Sequence, residues 1–208
     1  MFEDSHMDET QSSEQLRQLI RRDIRSRRQT LSSREQQHAA QCVCQRLLMH
    51  PQVKQHRHIA LYLSFDGELS TKPLIEALWR QGKQLYLPVL HPFCHGHLLF
   101  QQYSAHTPLV ANRFNILEPK LNCSQILPAN QLDILVMPLV AFDQYGNRLG
   151  MGGGFYDRTL SSISNNVTSI GIAHDSQRYP NLPIETWDQP LDCIITPSRL
   201  WEWTHKRV

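Results

Sequence analysis

Residues 134–160 read ILVMPLVAFDQYGNRLGMGGGFYDRTL, and this stretch decides the fold. Residues 134–142 are nearly continuous in apolar side chains, which is typical of a parallel strand covered on both faces. A turn at 143–147 follows, then Arg148, then glycines at positions 150, 152, 153 and 154, and residues 155–160 begin a helix. Strand, glycine-rich loop and helix in this order predict an α/β protein that binds a ligand where the strand ends.

The glycine-rich loop has the properties of an anion-binding site. Backbone without side chains can approach a phosphate closely and direct N–H groups toward it, and the helix N-terminus adds partial positive charge. Arg148 supplies a planar fork of donors, and Asp157 stands where a carboxylate could hold a divalent cation. The spacing matches neither G-x-G-x-x-G nor G-x-x-x-x-G-K-[ST]. A glycine-rich surface turn without a ligand is the alternative.

Length and composition favour one domain. The chain has 208 residues, 40% of them hydrophobic, which is enough for a core. We predict a disordered polar tail at 1–13 and a single domain at 14–208. A net charge of +2 implies no bulk attraction to nucleic acid or membrane. The polar, acidic start does not resemble a signal peptide, and five cysteines without a C-x-x-C pair are typical of a reduced cytoplasmic protein.

Residues 14–30 have the periodicity of an amphipathic helix. Its predicted apolar face consists of Leu16, Leu19, Ile20 and Ile24, and arginines recur on a neighbouring stripe at positions 17, 21, 25 and 28. Such a row suits a phosphate chain. A solvated basic face is one alternative, and a nucleic-acid-binding face is another, although interleaved aromatic residues are missing.

Strands and helices alternate along the rest of the chain. Ser32 and Glu35 match a capping box, so a second helix should complete an N-terminal helical hairpin. A strand at 59–63, a helix to about Arg80 and a strand at 84–90 have the length of a parallel crossover unit. Further strands are predicted at 98–103, 168–173 and 191–196. The pattern predicts a single-domain, three-layer α/β sandwich with a mostly parallel central sheet.

Two loops contain candidate ligand-binding side chains. Glu68 follows the first strand, where a substrate-facing carboxylate is expected in an α/β fold, and an exposed loop acid is the alternative. His91, His95 and His97 lie near Cys94, but their spacing matches no standard metal site. We therefore interpret these histidines as loop residues.

Five segments, in order along the chain, resemble the 5-formyltetrahydrofolate cyclo-ligase family, whose members are also called 5,10-methenyltetrahydrofolate synthetases. The segments are AFDQYGNRLGMGGGFYDR at 141–158, LYLSFDGELST at 61–71, GKQLYLPVL at 82–90, FNILEP at 114–119 and LPIETWDQPLDCIIT at 182–196. The resemblance extends over residues 16–203. It implies a ring closure that converts 5-formyltetrahydrofolate and MgATP to 5,10-methenyltetrahydrofolate, ADP and phosphate. The formyl oxygen would be phosphorylated before N10 attacks.

The resemblance also implies roles for individual residues. Arg148 and Tyr156 would be catalytic, and Asp157 and Asp188 would hold Mg²⁺. Residues implied to contact ATP are Arg17, Arg21, Arg148, Leu149, Gly150, Met151, Gly152, Gly153, Gly154, Phe155 and Tyr156. Residues implied to contact the folate are Leu63, Glu68, Met151, Gly152, Gly153, Gly154 and Phe155.

Four positions depart from the family pattern. Phe155 replaces a frequent Tyr, Arg17 a frequent Lys, Trp187 a common His, and Gly153 a Lys that some members have. None of these changes removes a charged group that the implied mechanism needs. Arg148 and the helix arginines would then supply more of the cationic field.

The implied partners are small molecules. We expect a cytoplasmic monomer that binds neither nucleic acid nor membrane. A phosphotransferase that acts on another small metabolite, with the same glycine-rich ATP cradle, is the alternative activity. An RNA adaptor or a folate-binding protein without turnover is the third hypothesis.

Overall fold

The computed structural model describes residues 4–164 and 166–203, and of residues 4–12 it describes the backbone alone. Helices lie at Asp4–Gln29 (α1), Ser33–Met49 (α2), Pro51–Gln55 (α3), Lys72–Arg80 (α4) and Phe155–Ser162 (α5). Strands lie at His58–Ala60 (β1), Gln84–Leu90 (β2), Leu98–Tyr103 (β3), Leu109–Ala111 (β4), Leu117–Pro119 (β5), Ile126–Leu127 (β6), Ile134–Met137 (β7), Ala141–Phe142 (β8), Arg148–Leu149 (β9), Thr168–Ile172 (β10), Cys193–Ile195 (β11) and Leu200–Glu202 (β12).

Within the described residues, eight strands form one sheet in the order β12–β11–β10–β7–β1–β2–β3–β6. The centre is parallel, because β1 pairs with β2 and β7, and β10 pairs with β7 and β11. The flanks are antiparallel, formed by β12 on one side and by β3 and β6 on the other. All four residues of β7 are buried, as expected for a strand covered on both faces. The predicted α/β fold with a mostly parallel sheet is confirmed.

Helices cover both faces of the sheet. On one face, Val43 and Leu47 of α2 and Leu74 and Leu78 of α4 pack against alternate residues of the central strands. On the other face, Leu160 of α5 joins the intervening strand residues in a second core. The division follows from the two-residue period of a strand, which sends neighbouring side chains to opposite faces. The predicted capping box at Ser32 begins α2 as expected.

Helix α1 packs away from these two cores. Its residues Ile20 and Ile24 contact Val140 and Leu149, next to the glycine-rich loop. The predicted apolar face was partly wrong, because Leu16 is 44% exposed and Leu19 is 56% exposed. Arg17 and Arg28 are buried instead. The inner face of this helix therefore covers a polar cleft for part of its length. Buried arginines form hydrogen bonds there, whereas the leucines lie at the surface.

Several predicted boundaries were also wrong, and the strands predicted at 59–63 and 191–196 are only His58–Ala60 and Cys193–Ile195. The strand predicted at 134–142 is divided into β7 and β8, and the break falls at Pro138, which has no N–H to donate to the ladder. Helix α1 begins at Asp4 rather than at residue 14. Residues 1–3 of the predicted tail lie outside the described residues. The division into a tail at 1–13 and a domain at 14–208 stays a prediction.

No helix in the described ranges is both long and apolar enough to cross a membrane. Sequence reasoning missed the short hairpins β4–β5 and β8–β9, and also β12, which lies beyond Pro197. These strands have two or three residues each, too few for a periodic signal.

The turn between β8 and β9 is built around Asp143, which is buried. Its carboxylate accepts hydrogen bonds from the backbone N–H groups of Tyr145 (2.9 Å), Asn147 (3.1 Å) and Leu182 (3.3 Å) and from Nδ2 of Asn147 (3.0 Å). This turn delivers Arg148 and the glycine-rich loop to the cleft.

We expect Asp143→Ala to lower the free energy of unfolding by about 3 kcal/mol, because several buried donors lose their acceptor. Urea denaturation measures the change. Asp23→Ala is the matched control, since Asp23 pairs with Arg27 on the exposed side of α1 and should change stability by less than about 0.5 kcal/mol. Equal stability of the two variants would contradict the structural role of Asp143.

Candidate active site

A cleft of about 540 Å³ opens at the carboxyl ends of the parallel strands. Its walls come from α1, from the loops that follow β1 and β7, from the end of β2 and from the glycine-rich loop before α5. A cavity of this volume accommodates a ligand of the size of a cofactor or drug. The position agrees with the rule that α/β sheets bind ligands beyond the carboxyl ends of their strands.

The arginine-bearing helix and the glycine-rich loop contact each other directly. Nε of Arg21 donates a hydrogen bond to the carbonyl of Gly150 (2.9 Å), and its guanidinium packs 3.6 Å from the point where a Cβ on Gly152 would stand. Gly154 has φ +65° at the start of α5, a conformation that glycine adopts without steric cost. Arg21 and Gly150 are 129 residues apart in the chain. Two distant segments therefore line one cleft.

Two arginine–aspartate pairs line the cleft. Arg17 reaches both oxygens of Asp188, at 2.6 and 3.1 Å, and also donates to the carbonyl of Pro183 (3.0 Å). The pKa of Arg17 is raised by the hydrogen bond to Asp188, against the effect of burial. Arg148 donates to Oδ1 of Asp157 at 2.7 Å. Two of the three arginines predicted to bind ATP are thus held by a predicted metal ligand, and the third, Arg21, is held by the carbonyl of Gly150.

Arg148 is buried, and part of its hydrogen-bonding capacity is unused. Its Nε has no hydrogen-bond partner among the described residues, and its Cζ lies 5.9 Å from the ring centroid of Tyr156. The pKa of the Tyr156 hydroxyl is raised, by burial first and by Glu68 second. At neutral pH this hydroxyl is therefore protonated and can donate a hydrogen bond into the cleft.

Glu68 lies in the wall of the cleft that follows β1. Its side chain is buried, and Oε2 accepts the backbone N–H of Phe65 at 3.2 Å. Burial raises the pKa of its carboxyl to about 7, although the N–H of Phe65 and the charge of Arg28 act in the opposite direction. A carboxylate with this pKa changes its charge near physiological pH, which is common at functional sites.

The structure brings nearly all the predicted site residues together. The predicted residues that line the cleft are Arg17, Arg21, Leu63, Glu68, Arg148, Gly150, Met151, Gly152, Gly153, Gly154, Phe155, Tyr156, Asp157 and Asp188. Leu149 is the exception, because it points away from the cleft and is buried against α1. The individual roles of these residues stay predictions.

Sequence reasoning missed an apolar wall opposite the glycine-rich loop. Phe114, Ile116 and Leu117 line the cleft, and the ring of Phe114 lies edge-on to Phe155 with 6.0 Å between centroids. Glu118 lines the cleft too, and its carboxylate is held by the N–H of Leu90 (3.1 Å) and Nδ2 of Asn112 (2.9 Å). Phe114, the one aromatic residue of the irregular segment 107–128, was the available signal.

The carboxylates suit Mg²⁺ only together with another ligand. Among the described residues, no group of three or more His, Cys, Asp or Glu side chains could hold a metal ion by itself. Mg²⁺ is usually held by one or two carboxylates, several waters and substrate phosphates. Asp157 and Asp188 fit that pattern, since both line the cleft beside arginines that could take phosphate oxygens.

Fold and cleft together have the arrangement of an α/β enzyme that acts on a small molecule, with a glycine-rich loop and paired arginines at its active site. A model of the 5-formyltetrahydrofolate cyclo-ligase family matches residues 12–197. The chain belongs to this family, and its curated relatives are enzymes.

Three relatives illustrate the similarity. The 5-formyltetrahydrofolate cyclo-ligase of Escherichia coli strain K12 is 53% identical over 181 residues, which cover 86% of this chain and 100% of that protein. The Haemophilus influenzae enzyme of the same name is 54% identical over 182 residues, covering 87% and 97%. The NMR structure of Aquifex aeolicus 5,10-methenyltetrahydrofolate synthetase has a TM-score of 0.80 and 28% identity, covering 93% of this chain and 95% of that one.

Proposed function

We propose that the chain converts 5-formyltetrahydrofolate to 5,10-methenyltetrahydrofolate with consumption of MgATP. Membership of the family supports the folate conversion. The observation that carries the ATP requirement is the contact between Arg21 and Gly150, which joins the arginine-bearing helix to the glycine-rich loop around one cleft. A triphosphate fits such a cleft, since it needs cationic side chains and converging backbone N–H groups.

The nucleotide would occupy the end of the cleft that contains the two arginine–aspartate pairs. Arg17, Arg21 and Arg148 would bind phosphate oxygens, and the N-terminus of α5 would add its partial positive charge. Asp157 and Asp188 would hold Mg²⁺, whose charge offsets that of the polyphosphate. The pairs keep Arg17, Arg148 and both carboxylates in place in the cleft.

The folate would occupy the part of the cleft near Glu68 and the apolar wall. An ionised Glu68 can accept hydrogen bonds from the amide and amino N–H groups of the pterin edge. Phe114 and Phe155 offer aromatic faces and edges to the rings of the substrate. Tyr156, protonated because its pKa is raised, would donate a hydrogen bond to the folate.

The need for ATP follows from the chemistry of the formyl group. A formamide carbonyl is a poor electrophile, and its oxygen is a poor leaving group. Transfer of the γ-phosphoryl group to that oxygen releases ADP and leaves an iminium carbon that carries a phosphate. N10 then attacks this carbon, phosphate departs with the C–O bond electrons, and the N10 proton is released. Arg148 would stabilise the charge that develops on the transferred phosphoryl group.

The proposal is tested with pure protein, 5-formyltetrahydrofolate and MgATP. We expect the absorbance of 5,10-methenyltetrahydrofolate to appear, with one ADP and one phosphate formed per product. Omission of ATP, or chelation of Mg²⁺, should abolish the signal. Folded protein that forms no methenyl product, or that releases ADP with another metabolite and not with this folate, would overturn the proposal.

We also propose that the protein acts as a cytoplasmic monomer.

A further inference from the structure

A tight turn fixes the carboxylate of Glu68. The N–H of Glu68 donates to the carbonyl of Phe65 at 3.0 Å, and the N–H of Phe65 donates back to the Glu68 carboxylate at 3.2 Å. The two central residues, Asp66 and Gly67, have φ +50° and +72°. Asp-Gly is a preferred pair for a turn in which both central residues have positive φ. The position of the Glu68 carboxylate therefore depends on the conformation of this turn.

Arg28 supports the turn from below. Its Nη2 donates to the carbonyl of Asp66 at 2.9 Å and lies 3.3 Å from the carboxylate of the same residue. A Cβ on Gly67 would stand 3.6 Å from both Cβ and the carbonyl oxygen of Arg28. The turn thus packs on α1, where Arg25 and Gln29 also bind Asp66, and Arg28 is the contact whose side chain is 0% exposed.

The hydrogen bonds of Arg28 do not by themselves explain why a buried arginine stands here. Its Nε and Nη1 have no hydrogen-bond partner in the described part of the chain. Unpartnered buried donors on a charged group cost free energy. The charge itself has an effect, because Arg28 lowers the pKa of the Glu68 carboxyl against the effect of burial. It also acts against the rise in the pKa of Tyr62.

His174 is a second support under the same turn. It is buried, and its backbone N–H donates to Oε1 of Gln177 at 2.8 Å. Its pKa is lowered by burial first and by Arg28 second, so the ring is neutral at physiological pH. The carbonyl of Gly67 lies close enough to the ring to act against this lowering of the pKa. Nε2 of His174 completes no hydrogen bond among the described residues.

We propose that Arg28 and His174 are positioning residues that hold the Phe65–Glu68 turn so that the Glu68 carboxylate reaches the folate. This inference rests on the proposed function, because it assigns Glu68 to the folate. Arg28 acts by hydrogen bonds to the turn and by its charge, and His174 acts through its ring, which lies near the backbone carbonyl of Gly67. Neither side chain lines the cleft, so neither touches the substrate.

Other charged or titratable groups also face Glu68. Asp66 raises the pKa of its carboxyl, whereas Arg28 lowers it. Tyr62 and Tyr156 lie near enough for Glu68 to raise the pKa of both hydroxyls, and both remain protonated at neutral pH. Arg28 is therefore the cationic group that favours the ionised form of this carboxylate. Removal of Arg28 should raise the pKa of Glu68.

The experiment compares Arg28→Met, Arg28→Lys and the matched control Arg25→Met. Arg25 contacts the same Asp66 carboxylate at 2.8 Å, but its side chain is 47% exposed. It is also not among the groups that change the pKa of Glu68. The KM for 5-formyltetrahydrofolate and the KM for ATP are measured from pH 6 to pH 9, and folding is checked by thermal unfolding.

We expect Arg28→Met to raise the KM for the folate about tenfold at pH 7.5, with the KM for ATP changed less than twofold. The pH below which folate binding weakens should move upward by about one unit. Arg28→Lys should raise the folate KM less than Arg28→Met does, because lysine keeps the positive charge but lacks the planar guanidinium group. His174→Gln should raise the folate KM in the same selective way, and Arg25→Met should resemble the wild type.

Equal folate KM values and pH profiles for the wild type and folded Arg28→Met would overturn the positioning role. So would a proportional rise in both KM values, since that would indicate general distortion of the cleft. If Arg28→Met does not fold, the Arg28→Lys and His174→Gln variants decide the question by the same criteria. Failure of the proposed function is a separate result, because the wild type itself would then form no methenyl product.

Discussion

Replacement of Arg148 by methionine is expected to lower kcat by roughly two to three powers of ten, the usual effect of losing one preorganised group that stabilises developing charge. Arg148 is buried, and its free Nε lies beside a cleft in which a phosphoryl group would be transferred. Solvent cannot replace its charge there, because a water-excluded site strengthens electrostatic interactions. The KM for the folate should change much less than kcat. Steady-state kinetics with both substrates measures the two effects.

The pair with Asp157 requires a control for folding. Loss of Arg148 leaves a partly buried carboxylate without its cation, and part of any loss of activity could come from instability. Arg148→Lys keeps the cation, so it should unfold close to the wild type and retain more activity than Arg148→Met. The kcat of a well-folded Arg148→Met protein shows whether the loss of activity comes from the missing charge rather than from instability. Activity within about threefold of the wild type would show that another arginine stabilises the transferred group.

The sequence predicted those parts of the fold that have a strong local signal. Strands β2 and β3 begin and end at the predicted residues, because both are runs of six or seven residues bounded by turn residues. Helix α2 begins at its predicted cap. The central strand was predicted at the right place, but its end was wrong because one proline outweighed a continuous apolar run.

The inner face of α1 could not be predicted from hydrophobicity. A periodicity argument assigns Leu16 and Leu19 to the buried face, yet Arg17 and Arg28 occupy it. Arg17 is buried because Asp188, 171 residues later, supplies a carboxylate in the right place. Such a partner is created by the tertiary fold, and no local pattern contains it.

The members of the candidate site were predictable, but their present partners were not. The resemblance assigned phosphate to Arg17 and a metal ion to Asp188, and the structure shows that these two side chains bind each other. The same holds for Arg148 and Asp157. Residues that bind oppositely charged parts of one ligand are themselves oppositely charged. Within this cleft each arginine is paired with the carboxylate beside it.

Glu68 connects function with stability, and Glu68→Gln is expected to have opposite effects on the two. Glutamine keeps an oxygen for the N–H of Phe65 but cannot carry a negative charge. Loss of a charged acceptor for the pterin N–H groups should raise the KM for 5-formyltetrahydrofolate roughly 10- to 100-fold at pH 8. The KM for ATP should stay near the wild-type value.

The stability effect follows from the raised pKa of Glu68. Its pKa is about 7 in the fold against 4.5 for an ordinary glutamate, so the folded protein holds this proton more tightly than the unfolded chain does. The stabilisation is complete below pH 4.5 and is lost as the pH rises toward 7. At pH 8 the wild type therefore bears a penalty of about 3 kcal/mol, which shrinks to less than about 1 kcal/mol at pH 5.

Urea denaturation at the two pH values measures that penalty. We expect Glu68→Gln to be more stable than the wild type at pH 8, by up to about 3 kcal/mol, and nearly equal to it at pH 5. Glu76→Gln, an exposed position on α4, should change neither stability nor the folate KM. If Glu68→Gln were less stable than the wild type at pH 8, the carboxylate would be stabilised in the fold and its pKa would lie below 4.5. A more stable protein that binds folate poorly would show that this buried acid is kept for its substrate at the expense of the fold.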